Sequence, residues 1–416
     1  MDYYISLYGN DTNSGRSHKE PWQSINRINA TQLLPGDSVW FQANHTFNGN
    51  LYLPGANADT GDKPITFSSY GDGRATIQAG KGAGFYAKNI GGVRIVNLSF
   101  IGSEGNASSG IRFVNTLPEH RKLTDIHISK VDVSGFGNVG IDIIASPIDR
   151  SWSGFKDVKI THANVYDNGD AGISSVGVWH PIEKEYSHTD IYINNCRVYR
   201  NIGIPGKGHH SGNGIVLGQV DCATIEYCEA YENGMMNDYE RGGPVGIWTW
   251  DSNRVVIQYN ESHHNRTGSS KDGGGFDLDG GVQNSIVQYN YSHNNDGAGY
   301  LLAQFEGAKP SYNNIIRYNL SENDGRKNSY GGIHLWSTGA NDGIKDTAIY
   351  QNTVSTSKSD TGNPAAVDCI TEGIHNIRIY NNTFITDGYT SLIRGKDNTE
   401  VYFENNTCTT IDLQSD

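Results

Sequence analysis

The chain has 416 residues, a net charge of −13, 36% hydrophobic residues and 51 glycines. So acidic a balance, with no basic run, disfavours nucleic acid and anionic membranes as partners. No apolar stretch approaches the roughly eighteen residues that a membrane-spanning helix needs, and five cysteines in this length do not make a disulfide framework.

Residues 1–37 differ from the rest of the chain. YYISLYGNDTNSG reads as a strand and a Gly/Asn/Asp turn, and Met1-Asp2-Tyr3 lacks the basic and apolar leader of a signal peptide. In PWQSINRINATQLL, Trp22, Ile25, Ile28 and Leu33 fall at helical spacing, with Pro21 suited to a first turn. LPGDSVWF then turns into a strand. Less regular coils are expected between residues 38 and 100. From residue 110 a Gly-Ile-x-Φ-x strand recurs: GIRFV, GIDII, GISSV, GIVLG, GIWTW, GFDLD, GYLLA, GIHLW, AVDCI and LIRGK. Its second column (Ile111, Ile141, Ile173, Ile215, Ile247, Phe276, Tyr300, Ile333, Val367, Ile393) is apolar throughout and must face a core. Positions three and five then face outward, because side chains alternate across a strand.

A second repeat overlaps the first. Aligning IEYCEAYEN, IQYNESHHN, VQYNYSHNN, IRYNLSEND and their relatives puts Cys196, Cys228, Asn260, Asn290, Asn319, Asn352, Asn382 and Asn406 in one column, at spacings of 32, 32, 30, 29, 33, 30 and 24. Asn201, Asn233, Asn265, Asn295 and Asp324 form another, five residues on. Repetition at this period marks a solenoid, and strand-type alternation excludes the helical kinds. Inward asparagines can pass amide hydrogen bonds from coil to coil, so every buried polar group is satisfied, and cysteine tolerates the same buried slot. The expected fold is an all-β, single-stranded, right-handed parallel β-helix of roughly 10–12 coils, spanning 38–416, with 1–37 as an N-terminal cap carrying a short helix. The sequons at Asn260, Asn290, Asn319 and Asn382 fall in the buried ladder and read as structural, as does Cys369 in a core position. No amphipathic helix follows Asn406 to cover the final coil, so the tail, a partner subunit (a homo-oligomer) or a further domain is expected there.

The opening YYISLYGNDTNSG segment, the PWQSI helix and the PGD-strand resemble the N-terminal cap of secreted β-helix proteins of the pectin-lyase-like superfamily, and the coils extend the resemblance along the chain. It implies a secreted or periplasmic carbohydrate-active protein: lyase, hydrolase, epimerase or tailspike. The Lys/Arg patterns of pectate lyases and the Asn-Thr-Asp motif of polygalacturonases are both missing.

The outward positions carry the chemistry. Coil by coil they read Val216 and Gly218, Trp248 and Trp250, Asp277 and Asp279, Leu301 and Ala303, His334 and Trp336, Asp368 and Ile370. Tryptophan faces stack on sugar rings and polar groups meet hydroxyls. Asp277 and Asp279 lie roughly 6.5–7 Å apart along one strand. That is closer to the roughly 6.5–9.5 Å of inverting glycosidases than to the roughly 5–5.5 Å of retaining ones. Corner loops add Asp296 and Glu306 as further catalytic candidates, and His210, Arg241 and Lys271 join Trp248, Trp250, Trp336 and His334 as substrate contacts. Asp272, Asp277, Asp279 and Asp296 are the hard oxygen donors a Ca²⁺ site would use. The bland readings are exposed turn-flanking carboxylates for the pair, a corner cap for Asp296, a loop charge for Glu306, and groove-filling for the tryptophans. Tyr199, Tyr231, His263 and His293 form a column on another face and read as stacking between coils.

Three functions fit these residues. The first is a glycoside hydrolase on a poly- or oligosaccharide with no required cofactor, one aspartate protonating the leaving oxygen and the other activating water. The second is a Ca²⁺-assisted lyase of a uronic-acid polymer, with Lys271, Arg241 or a histidine as base. The third is a non-catalytic glycan-binding solenoid. The carboxylate pair between aromatic platforms favours the first.

Overall fold

The computed structural model describes residues 1–58, 61–180, 185–369, 372–395 and 400–411. The chain divides into two compact units, Met1–Val178 with Glu185–Arg197, and Trp179–Lys184 with Val198–Asp416. Each is built from coils of right-handed parallel β-helix whose strands pair with their counterparts one coil on.

In the first unit, strand Asp2–Ile5 pairs in parallel with Ser38–Gln42, placing Tyr3 beside Val39 and Ile5 beside Phe41. The cap helix is confined to Ile25–Asn29 and buries Ile25 and Ile28. It is shorter than the Trp22–Leu33 periodicity suggests, for two reasons. The Trp22 N–H is drawn to the Tyr4 carbonyl at 2.8 Å, so that residue joins the first strand by a bridge to Ile5. Ser24, in extended conformation, then caps the helix from the Arg27 N–H, and Asp11 holds Ser24 in place through its N–H and hydroxyl. Trp22 stays buried, its ring stacked 4.8 Å from Tyr3. Beyond the cap, the apolar column Ile111, Ile141 and Ile173 is fully buried, with Ile111 opposite Ile141 and Ile141 opposite Ile173.

The second unit has three sheets. One contains Val220–Glu226, Asn253–Gln258 and their successors; the next contains the three-residue strands Glu229–Tyr231, Glu261–His263 and Tyr291–His293; the third contains the Gly-Ile strands Val245–Trp250, Gly274–Leu278, Tyr300–Gln304 and Gly331–Ser337. The ladder asparagine therefore sits at the corner between the first two sheets, not inside a strand. The residue before it takes the left-handed conformation in each coil: Tyr227, Tyr259, Tyr289 and Tyr318 have φ of 54–57°. These tyrosines stack in parallel on the surface at 5.0–5.3 Å.

Both asparagine columns form continuous ladders. The Asn260 side-chain amide donates to Asn290 Oδ1 at 3.0 Å, Asn290 to Asn319 at 3.1 Å, Asn319 to Asn352 and Asn352 to Asn382 at 3.0 Å, and Asn382 to Asn406 at 2.9 Å. Cys228 keeps its place by donating its backbone N–H to Asn260 Oδ1. The second ladder runs Asn201, Asn233, Asn265, Asn295 and ends on the Asp324 carboxylate, with links of 2.8–3.0 Å. Around them, the core column Ile215, Ile247, Phe276, Tyr300, Ile333 and Val367 is buried.

Asn290 fills both of its roles at once. Its oxygen accepts from Asn260 Nδ2 and the Asn260 N–H, and its amide donates to the Ile257 carbonyl and to Asn319. Asn290→Ala should thus strand buried partners on both neighbouring coils and cost about 2–4 kcal/mol. The check is urea unfolding with amide exchange: faster exchange should centre on residues 257–260 and 315–320, since a solenoid transmits stability through nearest neighbours.

Candidate active site

The Gly-Ile strands of the second unit stack in unbroken register. Trp248 pairs with Asp277, Asp277 with Leu301, Leu301 with His334, His334 with Asp368, and Asp368 with Arg394. Lateral spacing in such a sheet is about 4.8 Å, so the column presents a fixed strip of functional groups. The sequence places these residues outward, and they do point away from the core. They are not solvent-facing, however: Asp277 is 4% exposed, and Trp248, His334 and Asp368 are buried as well. Loops at Tyr239–Gly242, Ser270–Asp272 and Lys327–Tyr330 stand over the strip and enclose a cavity of about 950 Å³. Trp336, at 38% exposed, opens onto its mouth.

Of the carboxylates that line this cavity, Asp272, Asp277 and Asp279 lie towards one end. Asp272 sits at a left-handed turn with φ of 49°, followed by Gly273 at φ of 79°; aspartate and glycine tolerate this conformation best. The turn aims its carboxylate at two donors, the Gly243 N–H at 2.6 Å and the Tyr330 hydroxyl at 3.0 Å, and the Tyr330 oxygen accepts the Asp272 N–H in return. A Cβ on Gly243 would meet the Lys271 carbonyl at 2.2 Å, so this approach requires glycine. Burial raises the Asp272 pKa, while the two donors and Lys271 restrain the rise.

Asp277 has one carboxylate oxygen buried without a hydrogen-bond partner. Burial, then the charges of Asp279 and Asp272, push its pKa well above the ordinary value. Asp279 closes the strand and accepts the Gly280 N–H at 2.7 Å. Burial raises it to about 7, against the pull of that hydrogen bond and with Asp272 adding to the rise. The three environments thus separate the carboxylates by their hydrogen bonding and protonation: one held by donors, one partnerless, one poised at neutrality.

The opposite end of the strip is a hydrogen-bonded pair of charges. Arg394 donates to Asp368 Oδ2 at 2.6 Å and to the Asn363 carbonyl at 2.7 Å. His334 lies beside them, its Nδ1 accepting from the Gly331 N–H at 3.3 Å, and its ring 4.7 Å from Tyr330. Burial lowers its pKa to about 4, with Asp368 opposing and Arg394 adding. The imidazole is neutral at physiological pH and, with Nδ1 assigned as acceptor, carries its proton on Nε2. On the aromatic side, Trp248 donates its indole N–H to Asn213 at 3.1 Å and meets His210 edge-on at 5.2 Å.

Of the residues singled out in the sequence, Asp277, Asp279, Trp248, Trp250, Trp336, His334, His210, Arg241 and Lys271 all line the cavity, the last two exposed at its rim. Asp296 does not. Its carboxylate accepts from Arg266 at 3.1 Å and from the Thr267 N–H at 3.0 Å, which makes it a corner cap. Glu306 is an exposed turn residue next to Phe305, which does line the cavity. Of the four aspartates considered for Ca²⁺, Asp272, Asp277 and Asp279 line the cavity, and Asp296 bonds Arg266 instead. Ile370 lies outside the described residues. The structure adds Tyr330, Arg394 and Asn363 to the site and brings in Asp368, an outward position of the strip. Asp368 and Arg394 occupy the same third position of the Gly-Ile repeat as Asp277, so the column itself contains the signal for them. Nothing in the repeat points to Tyr330, which enters from a loop.

No protein-family model matches the chain. It is 23% identical, over an alignment of 503 positions, to a lacto-N-biosidase of Bifidobacterium longum subsp. longum. The match covers 97% of this chain, which spans only 28% of the length of that curated relative. Two crystal structures of a GH136 lacto-N-biosidase from Eubacterium ramulus align with a TM-score of 0.70 at 20% and 19% identity, covering 99% of this chain and 68% of theirs. The A-module of the Azotobacter vinelandii mannuronan C-5 epimerase AlgE4 aligns with a TM-score of 0.57 at 14% identity, over 90% of this chain and 87% of its own. The shared feature is the fold: this chain is a right-handed parallel β-helix.

Proposed function

We propose that the protein is a secreted glycoside hydrolase that cleaves an oligosaccharide held in the cavity over the Gly-Ile sheet. The observation that carries this reading is the division among Asp272, Asp277 and Asp279. Hydrolysis needs one carboxyl that holds a proton at working pH and one that is ionised. Asp279, at about 7, is suited to protonating the glycosidic oxygen. Asp272, with two donors on its carboxylate, is the better candidate for the ionised partner, attacking the anomeric carbon or taking a proton from the attacking water. The sequence pairs Asp277 with Asp279; the hydrogen bonding favours Asp272 in that place, whose charge also raises Asp279, and leaves Asp277 a buried carboxyl without a donor. Trp250 and Trp336 would stack on sugar faces, and neutral His334, Asp368 and Arg394 would meet hydroxyls. The likeness to proteins named lacto-N-biosidase supports a hydrolase acting on a saccharide. A lyase has less support, because Arg394, the cation of the strip, already spends its charge on Asp368 and His334, with its pKa lowered to about 4, is a weak base.

The first test follows reducing ends and ultraviolet absorbance together over a panel of neutral and acidic glycans, lacto-N-biosides included. New reducing ends without absorbance are expected; absorbance rising in step would establish β-elimination in its place. Asp272→Asn and Asp279→Asn should each lower kcat by about 10²–10⁴-fold, and activity in either near the wild-type level would remove that residue from the pair.

The pH profile follows from the same assignment. Asp279 acts in its protonated form, so kcat/KM should fall as pH rises through about 7. The acid limb reports Asp272 taking up a proton and should lie above the range of an ordinary carboxylate. Steady-state rates from pH 4 to 9 (roughly the span that brackets both groups) would show both limbs, as macroscopic values of the coupled set.

Asp277 should act on stability and not on the pH profile. Its folded-state pKa is raised, so the protonated form stabilises the fold at low pH, and that contribution is lost as pH rises through the folded value. Asp277→Asn should therefore raise Tm by a few degrees at pH 8, with the gain shrinking towards pH 4, while the alkaline limb of activity stays in place, because the charge that raises Asp279 is that of Asp272. Thermal scans at the two pH values decide this; a Tm lowered equally at both would show that the buried carboxyl is a net structural contributor.

A further inference from the structure

The short-strand sheet of the second unit carries a histidine cluster that the proposed hydrolase does not use. His263 and His293 end adjacent strands and pair directly in register. Their rings stack at 4.7 Å, and His264, at the left-handed corner, stands at 88° to both. The Nδ1 atoms of His263 and His264 are 2.8 Å apart. One ligand nitrogen from each of the three residues lies within 4.8 Å of the other two, and among the described residues no other group of three metal-ligating side chains converges so closely.

The protonation pattern around the cluster is what separates it from a plain ring stack. Glu261 lies 3.1 Å from His293 Nε2, and Glu229 lies 3.4 Å from His263 Nε2. Each carboxylate accepts the Nε2 proton and leaves Nδ1 as a bare lone pair. The Asn294 amide, 3.0 Å from His293 Nδ1, marks that atom as an acceptor. The lone pairs of His263 and His293 therefore turn inward, towards His264, while their outer nitrogens are held by carboxylates. That is the carboxylate–histidine arrangement that orients metal ligands. Glu232 also acts on His264, so three carboxylates offset Arg266, whose charge is taken by Asp296.

We propose that His263, His264 and His293 form a binding site for a divalent metal of the zinc, nickel or copper class, with Glu229 and Glu261 holding the ligands and water completing the coordination. All-imidazole donors suit these metals and not Ca²⁺ or Mg²⁺. A tetrahedral zinc with Zn–N of about 2.0–2.1 Å sets its nitrogens about 3.4 Å apart. The 2.8 Å pair would open slightly, and the widest would close by about 1.4 Å. Tilting His293 off its stack and releasing Asn294 closes the wide distance, and a small turn of the His264 ring opens the short one. Such a site would cross-link two successive coils and stabilise the fold in proportion to its affinity.

The test uses untagged protein stripped with chelator, titrated calorimetrically with ZnCl₂, NiCl₂ and, as a control, CaCl₂. Roughly one zinc per chain, bound at micromolar concentration or below, is expected, with a rise in Tm and no heat from calcium. His264→Gln and His293→Gln should each weaken binding by more than about tenfold, and Glu261→Gln by about tenfold, acting through His293. His375→Gln, at a surface histidine beside Glu400, should change nothing. Metal-free thermal scans show which variants are folded. If a variant fails to fold, pulsed electron paramagnetic resonance of the Cu²⁺-loaded wild type should still show three imidazole nitrogens. Substoichiometric zinc, unchanged affinity in the folded variants, or a copper signal with fewer than two imidazoles would each overturn the proposal.

Discussion

A buried asparagine that bonds to the coil before it and to the coil after it is the interaction on which the second unit depends. Each coil must turn sharply between its first two sheets, and the residue before the ladder position does so with left-handed backbone, as Tyr289 shows at φ of 57°. For a residue with a Cβ this costs roughly 1 kcal/mol or more. Asn290 offsets it with four hydrogen bonds made away from water, where a missing partner would be costly. The parallel stack of tyrosines outside and the asparagine ladder inside are two faces of the same corner.

Once the corners repeat at one height per coil, the Gly-Ile strands have no freedom of register. The third position of each falls beside the third position of the next, which carries Trp248, Asp277, Leu301, His334, Asp368 and Arg394 in a line. Functional groups on such a scaffold are positioned more tightly than loops alone would allow. The loops supply what the scaffold cannot: Asp272 with its turn, Tyr330, and the cover that removes the strip from solvent. A rigid floor with loop walls explains why the strained backbone at Asp272 occurs in the wall and the buried carboxyl of Asp277 in the floor.

The repeat makes most of this legible. Columns identify core, ladder and strip positions without any knowledge of three-dimensional distance, which is why Trp248, Asp277, Asp279 and His334 group together from spacing alone. Two kinds of error arise from the same logic. Nearness in sequence is a poor guide across a corner: Asp296 follows the ladder position Asn295, yet its side chain turns to Arg266 and the Thr267 amide. Exposure cannot be read from alternation either, because a loop far away in sequence can cover an outward position, as Tyr330 does by binding Asp272 across 58 residues. The helix at Ile25–Asn29 is shorter than its apolar spacing for a similar reason, since the Trp22 amide finds a strand partner in Tyr4.

Burial, with the neighbouring carboxylates adding to it, sets the electrostatics of the cavity. A lone aspartate with a backbone donor, as Asp279 has, would ionise at acid pH and could not hold a proton near neutrality. Desolvation is the largest cause of its rise, and the charge of Asp272 adds to it. Asp277, sealed beneath with an oxygen that no donor reaches, cannot ionise cheaply while its neighbours carry charge. Its proton therefore stays in the site, and any charge it did gain would fall on a neighbour two residues away. The site accepts a buried group that weakens the fold at alkaline pH, and the same burial keeps the neighbouring Asp279 protonated up to about 7.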